Sequence, residues 1–241
     1  IHRALEKSKK KIEDLDGVAA TAGPGLIVCL NVGYNIGKSL AAFGNKPFIP
    51  INHLEGHALS PGLENKISFP YLLLLVSGGH SQFLIIKDLN NYKQIGTTID
   101  DAVGEAFDKT AKILDLGYPG GPNVEKFAKL GDKNSYNLPQ PIINRSGCNL
   151  SLAGLKTDVL RKSKKIKSKQ DKYNLAASFQ ETINKILRKK TEVAMNSFRK
   201  EISDNSIKSF VVAGGVAANE TIRKNLKELG KKNNFKPIFP S

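Results

Sequence analysis

Apolar positions along the chain switch between two rhythms. Over Ile1 to Leu15, Leu5, Ile12 and Leu15 recur at helical spacing on a charged segment, and Gly17 stops the pattern. Val18 to Thr21 reads as a short strand ending at the turn AGPG. Gly25 to Phe43 reads as an apolar helix with Gly33, Gly37, Ser39, Ala41 and Ala42 on several faces, and Lys46 to Ile51 as a returning strand. Helix, strand, helix, strand is the alternation of an α/β layer with parallel strands, and the small residues predict a helix buried tightly against the sheet. The run FPYLLLLVSGGHSQFLIIKD then predicts a hairpin, with a turn at Gly78 and Gly79 and a second strand from Gln82 to Lys87. Asp100 to Leu116 has the composition of a long helix broken by YPGGP. Asn123 to Leu130 is helical again, and Asp132 to Asn149 is polar and turn-rich. Lys172 to Lys200 is a long amphipathic helix, Ile207 to Ala213 an apolar strand, and Asn219 to Leu229 a helix after the turn at Gly214 and Gly215. A Pro-containing stretch near Ser60 to Pro70 separates two α/β units, so two lobes are expected, residues 1–68 and 69–241.

A chain of 241 residues, 40% hydrophobic, can build such cores without cross-links. Its two cysteines, Cys29 and Cys148, stand in unrelated contexts, so neither a disulfide framework nor a thiolate cluster is encoded and a reducing, cytoplasmic setting fits. No apolar run approaches the roughly 20 residues that span a bilayer, so no membrane is expected, and the first residues read as a charged helix rather than a signal peptide. The net charge of +15, from 37 basic and 22 acidic residues, brings a polyanionic partner into consideration. Arg161 to Lys172 (RKSKKIKSKQDK) carries seven basic residues against one acid, Asp171. With no aromatic before Tyr173 it suits phosphates or solvent rather than stacked bases.

Two glycine pairs follow apolar strands, in VSGGH (Val76 to His80) and AGGVAAN (Ala213 to Asn219). Glycine allows positive φ and lets a ligand approach the backbone amides, and the second turn leads into a helix N-terminus that favours an anion. Neither matches the P-loop or dinucleotide spacing. In DDAVGEAFDKTAKIL, Glu105 and Asp108 share a helix side with Asp101 one turn earlier, and the following YPGGP argues that this helix end points into a cleft rather than into solvent. In INHLEGHALSPG, His53 and His57 stand at i and i+4, so both imidazoles can reach one ion. Glu55 points about 200° around from His53, and Leu54 occupies the place where a zinc protease needs its glutamate, which disfavours a metalloprotease.

HLEGH, LVSGGHSQ, IDDAVGEAFDKTAKILDLGYPGGP and VVAGGVAAN, in this order and spacing, resemble the TsaD family, the tRNA adenosine threonylcarbamoyltransferases once described as O-sialoglycoprotein endopeptidases. The likeness runs through the whole chain. It implies an α/β, actin-like (ASKHA, ribonuclease H-like) two-lobed fold, and an acyltransferase that moves the threonylcarbamoyl group from threonylcarbamoyl-AMP to N6 of the adenosine following the anticodon. By motif, it implies His53 and His57 as ligands of one divalent metal per subunit, iron or zinc. It further implies Leu75, Val76, Ser77, Gly78, Gly79, Asp108, Gly121 and Asn219 as substrate or nucleotide contacts. Expected partners are tRNA, an actin-like paralogue and a small ATPase.

Two departures matter. The family's first strand and phosphate-facing turn precede Ile1, and its T-D-N-G stretch, which supplies a third metal ligand, lies beyond Ser241. The chain is therefore expected to be an internal stretch of a longer protein, possessing only part of the metal shell and inactive alone. NLSLAGLKT (Asn149 to Thr157) stands where the family more often has S-F-S-G-L-K-T. Asp101, Glu105 and Asp108 are candidate general bases that the sequence does not rank. The alternatives are an actin-like kinase or ATPase and a non-catalytic scaffold paralogue; a kinase would use oxygen-ligated Mg²⁺, and a scaffold would be expected to lack the histidine pair.

Overall fold

The computed structural model describes residues 1–89, 91–204 and 206–239, so Ser241, past which the third metal ligand is expected, lies outside the described residues. The chain separates into two compact units, Ile1–Leu59 and Ser60–Ser241. The first contains α1 (His2–Ser8), a 3-10 turn (Ile12–Asp14), β1 (Val18–Gly23), α2 (Ile27–Phe43), β2 (Phe48–Asn52) and α3 (His53–Leu59). α1 stops well short of Leu15 because no residue of it is buried, and Lys9 turns left-handed at φ 55° to end it. β1 and β2 pair in parallel from Val18↔Phe48 onward, joined by the α2 crossover. Gly37 lets α2 lie on this pair: a Cβ there would sit 2.9 Å from that of Ala20. Only one face of α2 is so used. Gly37 and Ala41 are buried on that face, where the helix lies tightly on the strands as its small residues predict, whereas Ile27, Val28, Val32 and Ile36 are exposed.

The second unit contains α4 (Pro61–Glu64), β3 (Tyr71–Val76), β4 (Ser81–Asp88), β5 (Asn91–Thr97), α5 (Val103–Ile113), α6 (Gly120–Ala128), α7 (Ala153–Ser163), α8 (Lys169–Glu201), β6 (Lys208–Ala213), a 3-10 turn (Gly215–Ala218), α9 (Glu220–Lys232) and β7 (Phe235–Ile238). Its sheet runs β5-β4-β3-β6-β7, antiparallel on the β4–β5 side of β3 and parallel on the β6–β7 side. β3 is central and covered on both faces, which is why YLLLLV reads as an unbroken apolar run. α8 packs Phe179, Ile183, Ile186 and Leu187 into the core, and Phe179 meets Phe107 of α5 edge-to-face at 5.2 Å. Among the described residues, the buried hydrophobics other than Ala41 and Ala58 all belong to this unit.

Three elements lie where the apolar pattern is silent. β5 (NYKQIGT) is a polar edge strand, and β7 (FKPI) is an edge strand with a proline. α7 owes its start to Asp100, whose carboxylate accepts from the N–H groups of Leu152 (2.7 Å) and Ala153 (3.2 Å) and from the Ser151 hydroxyl. Cys148 is pressed against β5, where a Cβ on Gly96 would lie 2.5 Å from it, and burial pushes its thiol pKa up. Among the described residues no helix is long and apolar enough to cross a membrane.

Candidate functional site

The two glycine turns interlock through missing side chains. Gly214 has φ +98°, and a Cβ on it would lie 2.3 Å from the Val76 carbonyl oxygen, so the end of β6 can butt against the end of β3 only with glycine here. Gly104, in the first turn of α5, is equally constrained: its Cβ would meet the Ser77 carbonyl oxygen at 2.6 Å, and its N–H donates to that oxygen at 3.1 Å. The Val103 N–H donates to the buried Ser81 hydroxyl at 2.8 Å, which pins α5 to the β3–β4 turn. Gly120 then brings the start of α6 onto α5, its N–H donating to Asp108 Oδ1 at 3.0 Å. Around these contacts lies a cavity of about 440 Å³.

Gly78, Asp108, Gly121 and Asn219, four of the residues implied by motif, line it together. A Cβ on Gly78, Gly79 or Gly121 would meet nothing within 4 Å, so these glycines face open space rather than packing. The lining takes in the first turns of α5 and α6 and the N-cap of α9, so the positive ends of three helix dipoles border one volume. Phe107 and Val216 give it an apolar wall. Asn219 contributes less through its side chain than its motif implies. Its Oδ1 caps α9 by accepting from the Ile222 N–H (3.0 Å), and its Nδ2 donates to Gln180 Oε1 (2.9 Å). Leu75 and Val76 do not line the cavity; both are fully buried in β3, paired with Ala213 and Ser81. Ser77 shapes the turn, its N–H donating to the His80 carbonyl (2.8 Å) and its hydroxyl accepting from the His80 N–H (3.1 Å).

The three candidate acids separate. Asp108 lines the cavity, whereas Asp101 and Glu105 are both drawn to Lys109 Nζ at 2.7 Å, and Asp101 also to Lys156 Nζ at 2.8 Å. Burial alone would raise the Asp101 pKa, but the two ammonium groups outweigh it and hold the carboxyl below its ordinary range. Such a group is a tie between α5 and α7 rather than a proton acceptor. Glu125 is the lining carboxylate that the motifs do not single out. It stands on α6, and its Oε1 accepts from the Glu220 N–H at 2.8 Å. The detectable signal was weak: one acid, one turn beyond a glycine-rich helix start.

In the first unit, Asn52 caps α3 by accepting from the N–H groups of Leu54 (2.9 Å) and Glu55 (3.4 Å). This sets His53 and His57 on successive turns with ring centroids 4.6 Å apart and planes at 67°. Both are half-buried. Two neighbouring imidazoles fit two positions of a borderline-soft ion's shell. Among the described residues no group of three or more His, Cys, Asp or Glu is placed to hold a metal.

The model of the tRNA N6-adenosine threonylcarbamoyltransferase family matches residues 1–241. The chain is 61% identical over 238 residues to the tRNA N6-adenosine threonylcarbamoyltransferase of Pelagibacter ubique (strain HTCC1062), covering 99% of this chain and 66% of that protein. It is 48% identical over 242 residues to the protein of the same description from Rickettsia rickettsii (strain Sheila Smith), covering 100% of this chain and 70% of the relative. The chain thus spans about two thirds of the length of these curated relatives. Among solved structures, it is similar to full-length HypF in the phosphate- and nucleotide-bound form (TM-score 0.68, 15% identity, 100% of this chain and 46% of that one). It is also similar to component A of the Acidaminococcus fermentans (R)-2-hydroxyglutaryl-CoA dehydratase (TM-score 0.51, 19% identity, 97% and 73%). At these identities the likeness establishes the fold alone, which is actin-like.

Proposed function

The chain belongs to the tRNA N6-adenosine threonylcarbamoyltransferase family, and from that premise we propose that its protein transfers the threonylcarbamoyl group of threonylcarbamoyl-AMP to N6 of the adenosine following the anticodon in tRNA. The observation that carries this reading is the single cavity gathering Gly78, Asp108, Gly121 and Asn219. Its volume suits a nucleotide, and three helix N-termini favour the phosphate of an adenylate. Asp108 and Glu125 are acceptors suited to the two ribose hydroxyls, and the open glycines admit the ligand to the backbone. In the reaction the N6 lone pair forms a bond to the carbamoyl carbon, the bond from that carbon to the phosphate oxygen breaks, AMP leaves with the electron pair, and N6 loses a proton. Fixing the adenylate contributes by orientation, since the exocyclic amine is a poor nucleophile.

His53 and His57 would hold one divalent ion, iron or zinc, completed by ligands outside this chain. When bound, it supplies Lewis-acid polarisation of substrate oxygens. A cytoplasmic setting and an actin-like paralogue with a small ATPase as helpers belong to the same proposal. So does a contribution of the basic run Arg161 to Lys172 to RNA affinity.

The test incubates the full-length protein and its helpers with threonylcarbamoyl-AMP and unmodified tRNA, then digests the RNA to nucleosides. Threonylcarbamoyladenosine is expected. Sugar phosphorylation from ATP with no modified nucleoside would replace this reading by the kinase one.

A further inference from the structure

Apart from the candidate site, the second unit has a polar groove of about 640 Å³ between α6, α8 and α9. One face of α8 forms its floor, with Gln180, Asn184 and Arg188 at successive turns. The loop after α6 closes one side in backbone contact, since a Cβ on Gly131 would fall 2.1 Å from the Tyr173 carbonyl oxygen. Two of the groove's acids are already engaged: Glu220 by Lys129 at 2.7 Å and Glu181 by Lys133 at 3.7 Å. Lys185, Arg188 and Lys224 are exposed, and among the described residues none of the three has an ion-pair partner; the groove's remaining acid is Glu228. Asn184 is 5% exposed, yet neither its amide nitrogen nor its oxygen has a partner. A buried amide without partners calls for a ligand or water.

We propose that this groove docks the sugar-phosphate backbone of the substrate RNA. The inference rests on the tRNA reading above and deepens it by naming an RNA-contacting surface in addition to the basic run Arg161 to Lys172. The groove's apolar lining is limited to Ala128 and Ala177, so it offers no pocket for the aromatic or aliphatic anchor that a protein partner would bring. Cations interleaved with side-chain amides and a hydroxyl are the donor set that holds phosphates and fixes register without reading bases. The groove also adjoins the candidate site: Gln180 bonds both Thr221 on its wall (3.3 Å) and Asn219 at the cavity (2.9 Å).

The experiment measures tRNA binding by the full-length protein across a salt series, with Lys185→Gln, Arg188→Gln and Lys224→Gln combined. Loss of three phosphate contacts should reduce the slope of log affinity against log salt by about 2 to 3 and weaken binding on the order of tenfold at low salt. AMP binding should not change. The charge-preserving combination Lys185→Arg, Arg188→Lys and Lys224→Arg should restore the slope. Should the triple variant not fold, Lys224→Gln alone should lower the slope by about 1. An unchanged slope and affinity, with the unaltered protein binding tRNA, overturns the groove while leaving the function standing. Loss of a helper protein with tRNA affinity intact overturns it in favour of a protein partner. An unaltered protein that binds no tRNA at any salt overturns the functional reading itself.

Discussion

At the scale of single residues, chemistry is decided by partners that spacing does not disclose. Asp101, Glu105 and Asp108 stand close together in sequence, but Lys109 and, from the distant α7, Lys156 claim the first two, leaving Asp108 at the cavity. The open glycines Gly78 and Gly121 were legible because their motifs follow strands or precede helices. Gly104 and Glu125 were not, since each acts through a contact made across the fold. The histidine pair is the residue-scale feature that spacing anticipates best, since i and i+4 on a helix places side chains together wherever the helix lies. Metal titration of the full-length protein should therefore show high-affinity binding that falls at least about 100-fold in either His53→Ala or His57→Ala. Affinity in both variants equal to that of the unaltered protein would remove the pair from the ligand set.

At the scale of elements, the apolar rhythm found what is buried and overlooked what is held by edges and caps. β3, β4, β6 and α8 are core elements and stand close to their expected bounds, whereas β5, β7 and α7 depend on pairing, an edge proline and the Asp100 cap. β5 is also tied down electrostatically. Glu201 at the end of α8 pairs with Lys87 of β4 (2.6 Å) and Lys93 of β5 (2.7 Å), and these ammonium groups lower its pKa from 4.5 to about 2. A depressed carboxylate pKa contributes stability that is present above the unfolded value and lost as pH falls through the folded one. Stability should accordingly decline between about pH 4.5 and pH 2. In Glu201→Gln part of that decline should vanish. Denaturant melts of both proteins at a series of acidic pH values would show it, and parallel curves would deny the ion pairs a role.

At the scale of the whole chain, the two units differ in what they can sustain. Ile1–Leu59 has a two-stranded sheet and two of the buried hydrophobic residues, while Ser60–Ser241 has a five-stranded sheet and the rest of that core. A domain of about 60 residues is marginal even with a good core, whereas one of roughly 180 is not. Residues 60–241 expressed alone should fold and melt in one cooperative transition by circular dichroism, and residues 1–59 alone should not. Absence of a transition in the longer piece would show that its stability depends on the first unit.

The chain's two cysteines fall on opposite sides of this division, Cys29 exposed on α2 and Cys148 sealed beneath β5. In native conditions a thiol-reactive dye should therefore mark α2 and spare the second unit, whose thiol is both covered and harder to ionise. Within this chain the folded state thus carries one chemical handle, and the appearance of a second labelled site becomes a clock for the opening of the segment that holds Cys148 against β5.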